Sequence, residues 1–417
     1  MKEQNKVSRR NFLKTVGAVS LAPAFTGATN ALEASAEANA EKKDKPKYPQ
    51  VPRRKLGKTG IKVPYLSFGT LRVDTENQIL LRRTLQLGVN YWDTAYNYSG
   101  GNSELGIGKF LSKNPDIRKN LFIVTKASGA RTVEDIEKRL QTSLKRMNTN
   151  YIDLYYGVHG LSDPAQLTDE LKQWAESAKK RKLIRYFGFS THSNAAKCLA
   201  AAAKLNWIDA LMTRYSFRDV HNDEMQAAID ACHKAKIGLV AMKTVGRASR
   251  RRDSEKTETD AEKKLTEHLL QRGFTQEQVA IKLVLEDKRI SSACVGMQTI
   301  PILNANVATA LDKTKLTQAD RKVFKAYAQA TCSGYCAGCA HICDSALPDV
   351  PYLSDIMRYL MYYNNYGEKE MAKEFFAEIP SRIRDKLLST DYCLAEARCP
   401  QHLPIDKLVA EAVSKLA

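Results

Sequence analysis

Between residues 53 and 315 the chain alternates short apolar runs with stretches in which apolar residues recur at helical spacing. In one such stretch Ile136, Leu140 and Leu144 fall on one side of a helix. Eight of the runs have the length and composition of strands, at residues 65–68, 90–92, 121–125, 152–158, 184–189, 210–212, 238–242 and 292–295. Such alternation predicts a parallel sheet, and eight repeats in about 250 residues predict a closed (β/α)8 TIM barrel.

The alternative α/β fold is an open, doubly wound sheet. That fold is expected to carry a Gly-x-Gly-x-x-Gly turn after its first strand. Residues 69–72 (GTLR) do not supply one. Ahead of the first strand, the segment 54–64 has Gly57 and Gly60 at turn positions, which indicates a small hairpin at the bottom of the barrel. We therefore predict the barrel rather than the open sheet.

The strand and helix rhythm ends near residue 316. Residues 316–417 are predicted to form a mainly helical, cysteine-rich C-terminal extension. Ahead of the barrel, the polar composition of residues 37–52 predicts a linker. The predicted organisation is a leader at 1–36, the linker at 37–52, the barrel at 53–315 and the extension at 316–417.

Composition and charge exclude several classes of protein. The 417 residues are 43% hydrophobic, which excludes a disordered chain or a disulfide miniprotein. The net charge of +19 raises the question of a nucleic-acid partner. Residues 1–36 contain five basic and two acidic side chains, so +16 remains after them. This charge is spread over helix ends, such as 179–182, and one arginine-rich loop, so we predict no nucleic-acid partner.

The first 36 residues have the features of an export signal. Residues 8–14 (SRRNFLK) precede a mildly apolar run at 16–25 and small-residue sites at Ala36, Ala38 and Ala40. This arrangement resembles a twin-arginine signal, which implies cleavage after one of those alanines and export of the folded protein by the twin-arginine translocase to the periplasm or another exported location. The alternatives are an amphipathic first helix or a membrane anchor. The apolar run is shorter than the ~20 residues of a membrane span, so no span is predicted in the mature protein.

Four polar residues follow successive predicted strands. Asp93 and Tyr98 follow the second strand, Lys126 ends the third and His159 ends the fourth. In a barrel these positions meet at one rim. A phenol has a pKa of about 10, which a neighbouring ammonium lowers, so Tyr98 beside Lys126 is predicted to be a tuned acid. Asp93 would orient the lysine, and a neutral His159 could donate a hydrogen bond to a carbonyl oxygen, a set that suits hydride addition to a carbonyl.

The sequence around these residues resembles the aldo-keto reductases over about residues 53–311. The motifs that carry the resemblance occur in order, at 93–98 (DTAYNY), 101–104 (GNSE), 124–126 (VTK), 151–159 (YIDLYYGVH) and 185–190 (RYFGFS). The resemblance implies that Tyr98 is the proton donor, that Lys126 and Asp93 tune it, and that His159 orients the substrate. It also implies a small carbonyl or sugar-like substrate and NADP(H) as the cofactor.

The residues expected to hold the cofactor follow the family pattern less closely. Ser190 and Thr191 stand where similar proteins have Ser-Asn at the end of strand five, and Met212 replaces an expected glutamine. The cofactor is expected to be held by the polar or backbone groups of Ser190, Thr191, Gly296, Thr299, Asn306 and Arg247. Arg247 opens the loop 247–252, whose four arginines could clamp a pyrophosphate or could simply be solvated.

Six of the nine cysteines lie in the extension. They are Cys332, Cys336, Cys339, Cys343, Cys393 and Cys399, the last followed by Pro400. The spacing is similar to that of ferredoxin segments, which predicts one 4Fe-4S cluster held by Cys332, Cys336 and Cys339 with Cys343 or Cys399 as the fourth ligand. Disulfides, in any of fifteen connectivities, or a zinc site are the alternatives. The isolated Cys198, Cys232 and Cys294 are expected to be buried in the barrel.

Two functional hypotheses follow. The first is an exported oxidoreductase of the aldo-keto reductase type, with an iron-sulfur cluster in the extension and a redox partner protein. The second is a non-catalytic barrel used for electron transfer or binding, with the cysteines of the extension joined as disulfides.

Overall fold

The computed structural model describes residues 46–246 and 260–417. The predicted leader, most of the linker and the loop that begins at Arg247 lie outside the described residues. Among the residues described, no helix is long and apolar enough to cross a membrane.

In residues 46–246 and 260–417, ten strands form two sheets. Residues 53–64 give an antiparallel hairpin of two strands, and the other eight strands are parallel and close into a barrel in chain order. The strands are β1 (Arg53–Lys55), β2 (Lys62–Pro64), β3 (Leu66–Gly69), β4 (Tyr91–Asp93), β5 (Phe122–Lys126), β6 (Ile152–His159), β7 (Ile184–Thr191), β8 (Ala210–Arg214), β9 (Gly238–Met242) and β10 (Ser292–Gly296). All eight predicted barrel strands are confirmed.

In the part of the chain that the structure describes, nine helices surround the barrel. They are α1 (Gln78–Gln86), α2 (Asn102–Lys113), α3 (Val133–Arg146), α4 (Asp169–Lys180), α5 (Ala195–Ala202), α6 (Asp223–Lys234), α7 (Asp260–Arg272), α8 (Gln276–Glu286) and α9 (Ile300–Leu311). One helix start illustrates the local chemistry. At α3 the Thr132 hydroxyl accepts a hydrogen bond from the Asp135 amide at 3.2 Å, as part of a capping box. The (β/α)8 fold predicted from the alternation of strands and helices is confirmed.

The hairpin closes the bottom of the barrel, as predicted. Its residue Leu56 is fully buried and packs with inward-facing residues such as Val124 and Leu154. A Cβ on Gly238 would lie 2.5 Å from a methyl carbon of Leu56, so the strand needs glycine at this position. The hairpin therefore fills the lower interior and leaves the upper rim, where the strands end, for the site.

The extension is helical, as predicted. Its helices are α10 (Gln318–Ala330), α11 (Ala340–Ala346), α12 (Leu353–Met361), α13 (Lys369–Ala377), α14 (Ser381–Arg384), α15 (Cys393–Arg398) and α16 (Ile405–Leu416). A π-helical turn, Tyr362–Tyr366, follows α12. Phe324 of α10 packs with Leu265 of α7, whereas a separate core that includes Ile356 and Val409 holds the later helices together.

Candidate active site

The upper rim of the barrel brings together the four residues predicted to act on a carbonyl. Asp93 is the last residue of β4, Lys126 the last of β5 and His159 the last of β6. Tyr98 begins a short 3-10 turn, Tyr98–Gly101, in the loop after β4. Because parallel strands end at the same rim, these side chains converge although they come from different parts of the sequence.

Lys126 and Asp93 form a buried ion pair. The Lys126 ammonium donates to Asp93 Oδ1 and to the carbonyl oxygen of Thr94, each at 2.6 Å. The two residues are only 1% and 2% exposed. Burial raises the pKa of Asp93, and the Lys126 charge opposes that rise. The pair is therefore a desolvated ion pair in which each charge depends on the other.

Tyr98 lies beside this pair. The Lys126 ammonium is 4.8 Å from the centre of the Tyr98 ring, and the ring centres of Tyr98 and His159 are 6.2 Å apart. Burial raises the pKa of Tyr98 well above its usual value, and the Asp93 carboxylate raises it further. The lowering predicted from Lys126 is not found in this structure, in which burial has the largest effect on the pKa of Tyr98. The Tyr98 phenol stays protonated.

His159 is held as a neutral imidazole. Its Nδ1 lies 2.7 Å from the Ser128 hydroxyl oxygen. Burial lowers the pKa of His159 well below its usual value, and the charges of Lys126, Arg358 and Lys243 lower it further. A neutral ring that accepts from Ser128 at Nδ1 presents its other nitrogen as a donor, which is the state predicted for this residue.

The residues predicted to hold the cofactor lie along the same rim. Ser190 pairs with His159 in the sheet, and its hydroxyl accepts from the Gly160 amide at 3.2 Å. The neighbouring Thr191 hydroxyl donates to the carbonyl oxygen of Ser193 at 3.0 Å. Both residues are buried, and their hydroxyls take part in hydrogen bonds within the protein.

The other predicted cofactor residues surround the start of α9. Gly296 ends β10 and is exposed, with open space where a Cβ would lie. Thr299 caps α9 by accepting from the Ile302 amide at 3.4 Å, and Asn306 is buried within that helix. Arg247 lies outside the described residues. The backbone just before α9 is therefore open to solvent at Gly296.

The extension covers part of the rim, which the sequence did not predict. Arg72, in the loop after β3, forms an ion pair with Glu368 of the extension. The Lys243 ammonium, just after β9, lies 4.4 Å from the ring centres of both Tyr362 and Tyr366. Tyr362 is also close enough for its charge to influence the pKa of Tyr98. These contacts join residues more than a hundred positions apart, and no motif in the sequence signals them.

A large cavity lies between the rim and the extension, with about 1440 Å³ of empty space including its open mouth. The barrel contributes His192, Arg214 and Lys243 to its wall. The extension contributes Arg358 and several apolar side chains. Neither Tyr98 nor His159 is part of that wall, so the cavity is beside the proposed reacting centre rather than at it.

Four of the six cysteines of the extension lie close together, and they differ in part from the four that were expected to be ligands. Cys336, Cys339, Cys343 and Cys399 line one small cavity of about 400 Å³. Cys332 is not among the lining residues, although it was expected to be a ligand; it lies on a separate 3-10 turn, Cys332–Gly334.

Cys393 lies apart as well, exposed at the start of α15. All nine cysteines are unpaired. No group of three or more His, Cys, Asp or Glu side chains in the described residues is spaced to hold a metal ion. Of the isolated cysteines, Cys198 and Cys232 are buried as expected, whereas Cys294 is partly exposed.

Comparison with known proteins identifies the family of the barrel. The model of the Aldo/keto reductase family matches residues 66–326, more than half of the chain. The chain belongs to the aldo/keto reductase family. The predicted family and fold are thereby confirmed. The six cysteines of the extension lie beyond the matched residues.

Individual relatives are distant. An aldo-keto reductase of Schizosaccharomyces pombe, named for NADP(+), is 30% identical over 220 residues, which cover 47% of this chain and 62% of the relative. The L-glyceraldehyde 3-phosphate reductase of Escherichia coli (strain K12) is 24% identical over 308 residues, 63% of this chain and 88% of that protein. The holo form of an aldo-keto reductase from Bacillus halodurans has a TM-score of 0.54 and 26% identity, covering 66% of this chain and 95% of that one.

Proposed function

We propose that the protein is an NADP(H)-dependent oxidoreductase that reduces the carbonyl group of a small molecule. The observation that carries this proposal is the buried ion pair of Lys126 and Asp93 beside Tyr98, with a neutral His159 at the same rim. The name of the Schizosaccharomyces pombe relative supports NADP as the cofactor.

Each of these residues has a definite part in the reaction. When bound, the nicotinamide supplies the hydride that adds to the carbonyl carbon. Tyr98 donates its phenolic proton to the carbonyl oxygen, and the raised pKa keeps that proton in place until the oxygen gains charge. His159 donates a hydrogen bond to the same oxygen. Lys126 stabilises the phenolate left on Tyr98, which regains its proton from solvent.

The rim offers a fitting place for the dinucleotide. Gly296 lets a ligand approach the backbone after β10, because no atom lies within 4 Å of the position its Cβ would take. At the start of α9 the Ile300 amide would contact a phosphate, whereas Pro301 has no N–H and the Ile302 amide already donates to Thr299. Ser190 and Thr191 lie at the level of His159, where the nicotinamide amide would bind. Asn306 and Arg247 complete the proposed set.

The test of this function is the variant Tyr98→Phe. Loss of the proton donor should lower kcat/KM for NADPH-dependent aldehyde reduction by about 100- to 10,000-fold. Tyr151→Phe is the matched control, since Tyr151 precedes β6 at the opposite end of the barrel. Equal rates for Tyr98→Phe and the unmodified protein would contradict the proposal. A wild-type protein that oxidises no NADPH with any aldehyde would instead favour the non-catalytic barrel.

We also infer that the extension holds a single 4Fe-4S cluster. Four thiols that line one cavity support this, because Cys336, Cys339 and Cys343 come from one segment and Cys399, followed by Pro400, comes from another. Four thiolates are the full ligand set of such a cluster, and these four would have to move closer together to hold one, because they are not spaced for a metal ion in this structure. The ligand set thus differs from the expected one, with both Cys343 and Cys399 included and Cys332 omitted.

The content of iron and acid-labile sulfide in the purified protein tests directly whether a cluster is bound. Each of Cys336→Ser and Cys399→Ser should lower the iron content of protein purified without oxygen. Cys332→Ser and Cys393→Ser are matched controls from the same extension and should retain it. If no variant holds iron, and the unmodified protein holds none either, the cluster is excluded and disulfides become the preferred alternative.

Export by the twin-arginine translocase to the periplasm is the third part of the proposal. It would deliver a protein that has already folded and received its cofactors in the cytoplasm. A redox partner protein at the destination would then be needed to recycle electrons. Replacing Arg9 and Arg10 by lysine should retain the protein in the cytoplasmic fraction, whereas normal export of that variant would contradict this localisation.

A further inference from the structure

We propose that the cavity between the barrel rim and the extension binds an anionic group of the substrate, a carboxylate or a phosphate, through Lys243 and Arg358. The inference deepens the proposed carbonyl reduction and rests on it, because it places the charged part of the substrate beside the reacting carbonyl. Lys243 comes from the barrel and Arg358 from α12 of the extension, so the site exists only where the two parts meet.

Lys243 is held in place by an unusual backbone and by two aromatic rings. Its φ of 59° is left-handed, a conformation that a residue with a long side chain rarely adopts. Its ammonium lies 4.4 Å from the ring centres of Tyr362 and Tyr366. These rings attract the cation without neutralising it. The lysine is therefore positioned at the cavity wall and keeps its capacity to bind an anion.

Arg358 is the second cation of the wall. Its Nη2 donates to Asp355 Oδ1 at 2.6 Å, and its side chain is 18% exposed. Arg358 and Lys243 both lower the pKa of His159 and of His192, in addition to the larger effect of burial. The two cations are therefore close enough to influence the residue that would bind the carbonyl oxygen. A molecule that spans from His159 into the cavity would carry its far end to these cations.

The charges around the cavity are unbalanced. Among the described residues that line it, Glu411 is the one carboxylate, and Glu411 binds Lys415 at 2.7 Å. Arg214, a third cation of the wall, is paired with Asp219. No carboxylate in residues 46–246 or 260–417 forms an ion pair with Lys243. A half-buried cation without a carboxylate partner favours an anionic ligand, because such a ligand would offset the cost of desolvation.

The rest of the wall indicates what the anion is attached to. Met357, Leu360, Leu403 and Leu408 line the side that the extension contributes. An apolar or aromatic body would bury surface there, while an inorganic ion would leave that side unfilled. The chemical class is thus an aldehyde or ketone with an apolar body and one carboxylate or phosphate.

The experiment compares two aldehydes of similar shape that differ in charge. 4-Carboxybenzaldehyde carries a carboxylate, and methyl 4-formylbenzoate is its neutral ester. We expect a higher kcat/KM for the acid than for the ester, and we expect Lys243→Met or Arg358→Met to lower the ratio of the two by about tenfold or more. Lys243→Arg should restore most of the ratio. Lys234→Met is the matched control, because Lys234 ends α6 on the outside of the barrel and is exposed.

A binding measurement separates this inference from the proposed function. Benzoate and phenyl phosphate are titrated against the full chain by calorimetry, with and without NADP(+), and their relative affinities decide between a carboxylate and a phosphate. Weaker binding in Lys243→Met supports the site even if no aldehyde is reduced. An unchanged ratio together with unchanged anion affinity in both Met variants would overturn the inference. So would displacement of both anions by NADP(+), which would assign the two cations to the cofactor.

Discussion

The buried pair of Lys126 and Asp93 permits a quantitative prediction about folding. The two charges lie 2.6 Å apart. At an effective dielectric constant of about 20 their attraction is about 6 kcal/mol, and burying each ion costs several kcal/mol. The intact pair therefore contributes little on balance. Lys126→Met removes the attraction but leaves the Asp93 carboxylate in the barrel, so we expect the free energy of unfolding to fall by about 3–5 kcal/mol.

The double-mutant cycle of Lys126→Met and Asp93→Asn tests this expectation. Urea unfolding followed by circular dichroism gives the free energy of each variant, and the double variant should recover a large part of the loss because no lone charge remains. The exposed pair of Lys109 and Glu76 is the control, and its coupling should be much smaller because solvent screens the two charges. Losses that simply add in the double variant would refute the argument.

The pH dependence supplies an independent check. Burial already raises the pKa of Asp93 in the intact protein, and loss of the Lys126 charge should raise it further. A carboxyl group whose pKa is higher in the folded than in the unfolded protein costs stability as the pH rises between the two values. The penalty of Lys126→Met should therefore be smaller at mildly acidic pH than above neutrality. A penalty that does not change with pH would point to lost packing instead.

Three further predictions rest on other parts of the molecule. Gly188→Ala should destabilise the barrel by about 1–3 kcal/mol or prevent folding, because its Cβ would lie 1.7 Å from the carbonyl oxygen of Ala210; thermal unfolding measures this. Arg146→Met should cost about 3 kcal/mol in urea unfolding, since it leaves the buried Glu104 carboxylate without its cation. Burial lowers the pKa of Lys243 to about 7, so Lys243→Met should increase stability below pH 7 and lose this advantage as the pH rises towards the usual lysine value.

The barrel and the proposed catalytic set were predictable from the sequence because both depend on local patterns. Apolar runs mark the strands, and a polar residue at the end of a parallel strand must lie at the shared rim. Asp93, Lys126 and His159 end β4, β5 and β6 in this way. The raised pKa of Tyr98 was not predictable, because it depends on burial in the folded protein and on nearby groups such as Asp93 and Tyr362, one of which comes from the extension.

The spacing of the cysteines along the sequence did not indicate which thiols line one cavity. The spacing of Cys332 is compatible with a role as a ligand. In the structure, however, Cys332 lies on the 3-10 turn Cys332–Gly334 and does not line the thiol cavity. The cavity is instead lined by Cys343, from the end of the same segment, and by Cys399, which lies more than fifty residues further along the chain. Spacing defines which thiols can be neighbours within one segment, whereas the packing of α11 against α15 brings thiols from distant segments together.

The extension links the two proposed redox centres through shared residues. Cys336, Ser354, Met357 and Leu403 line both the thiol cavity and the larger cavity at the rim. Ser354 and Met357 belong to α12, the helix that also carries Arg358. Because Arg358 helps to keep His159 neutral, any change at the thiols that shifts α12 would alter the charge around the carbonyl site. The extension therefore contributes charge to the surroundings of the proposed active site through Arg358.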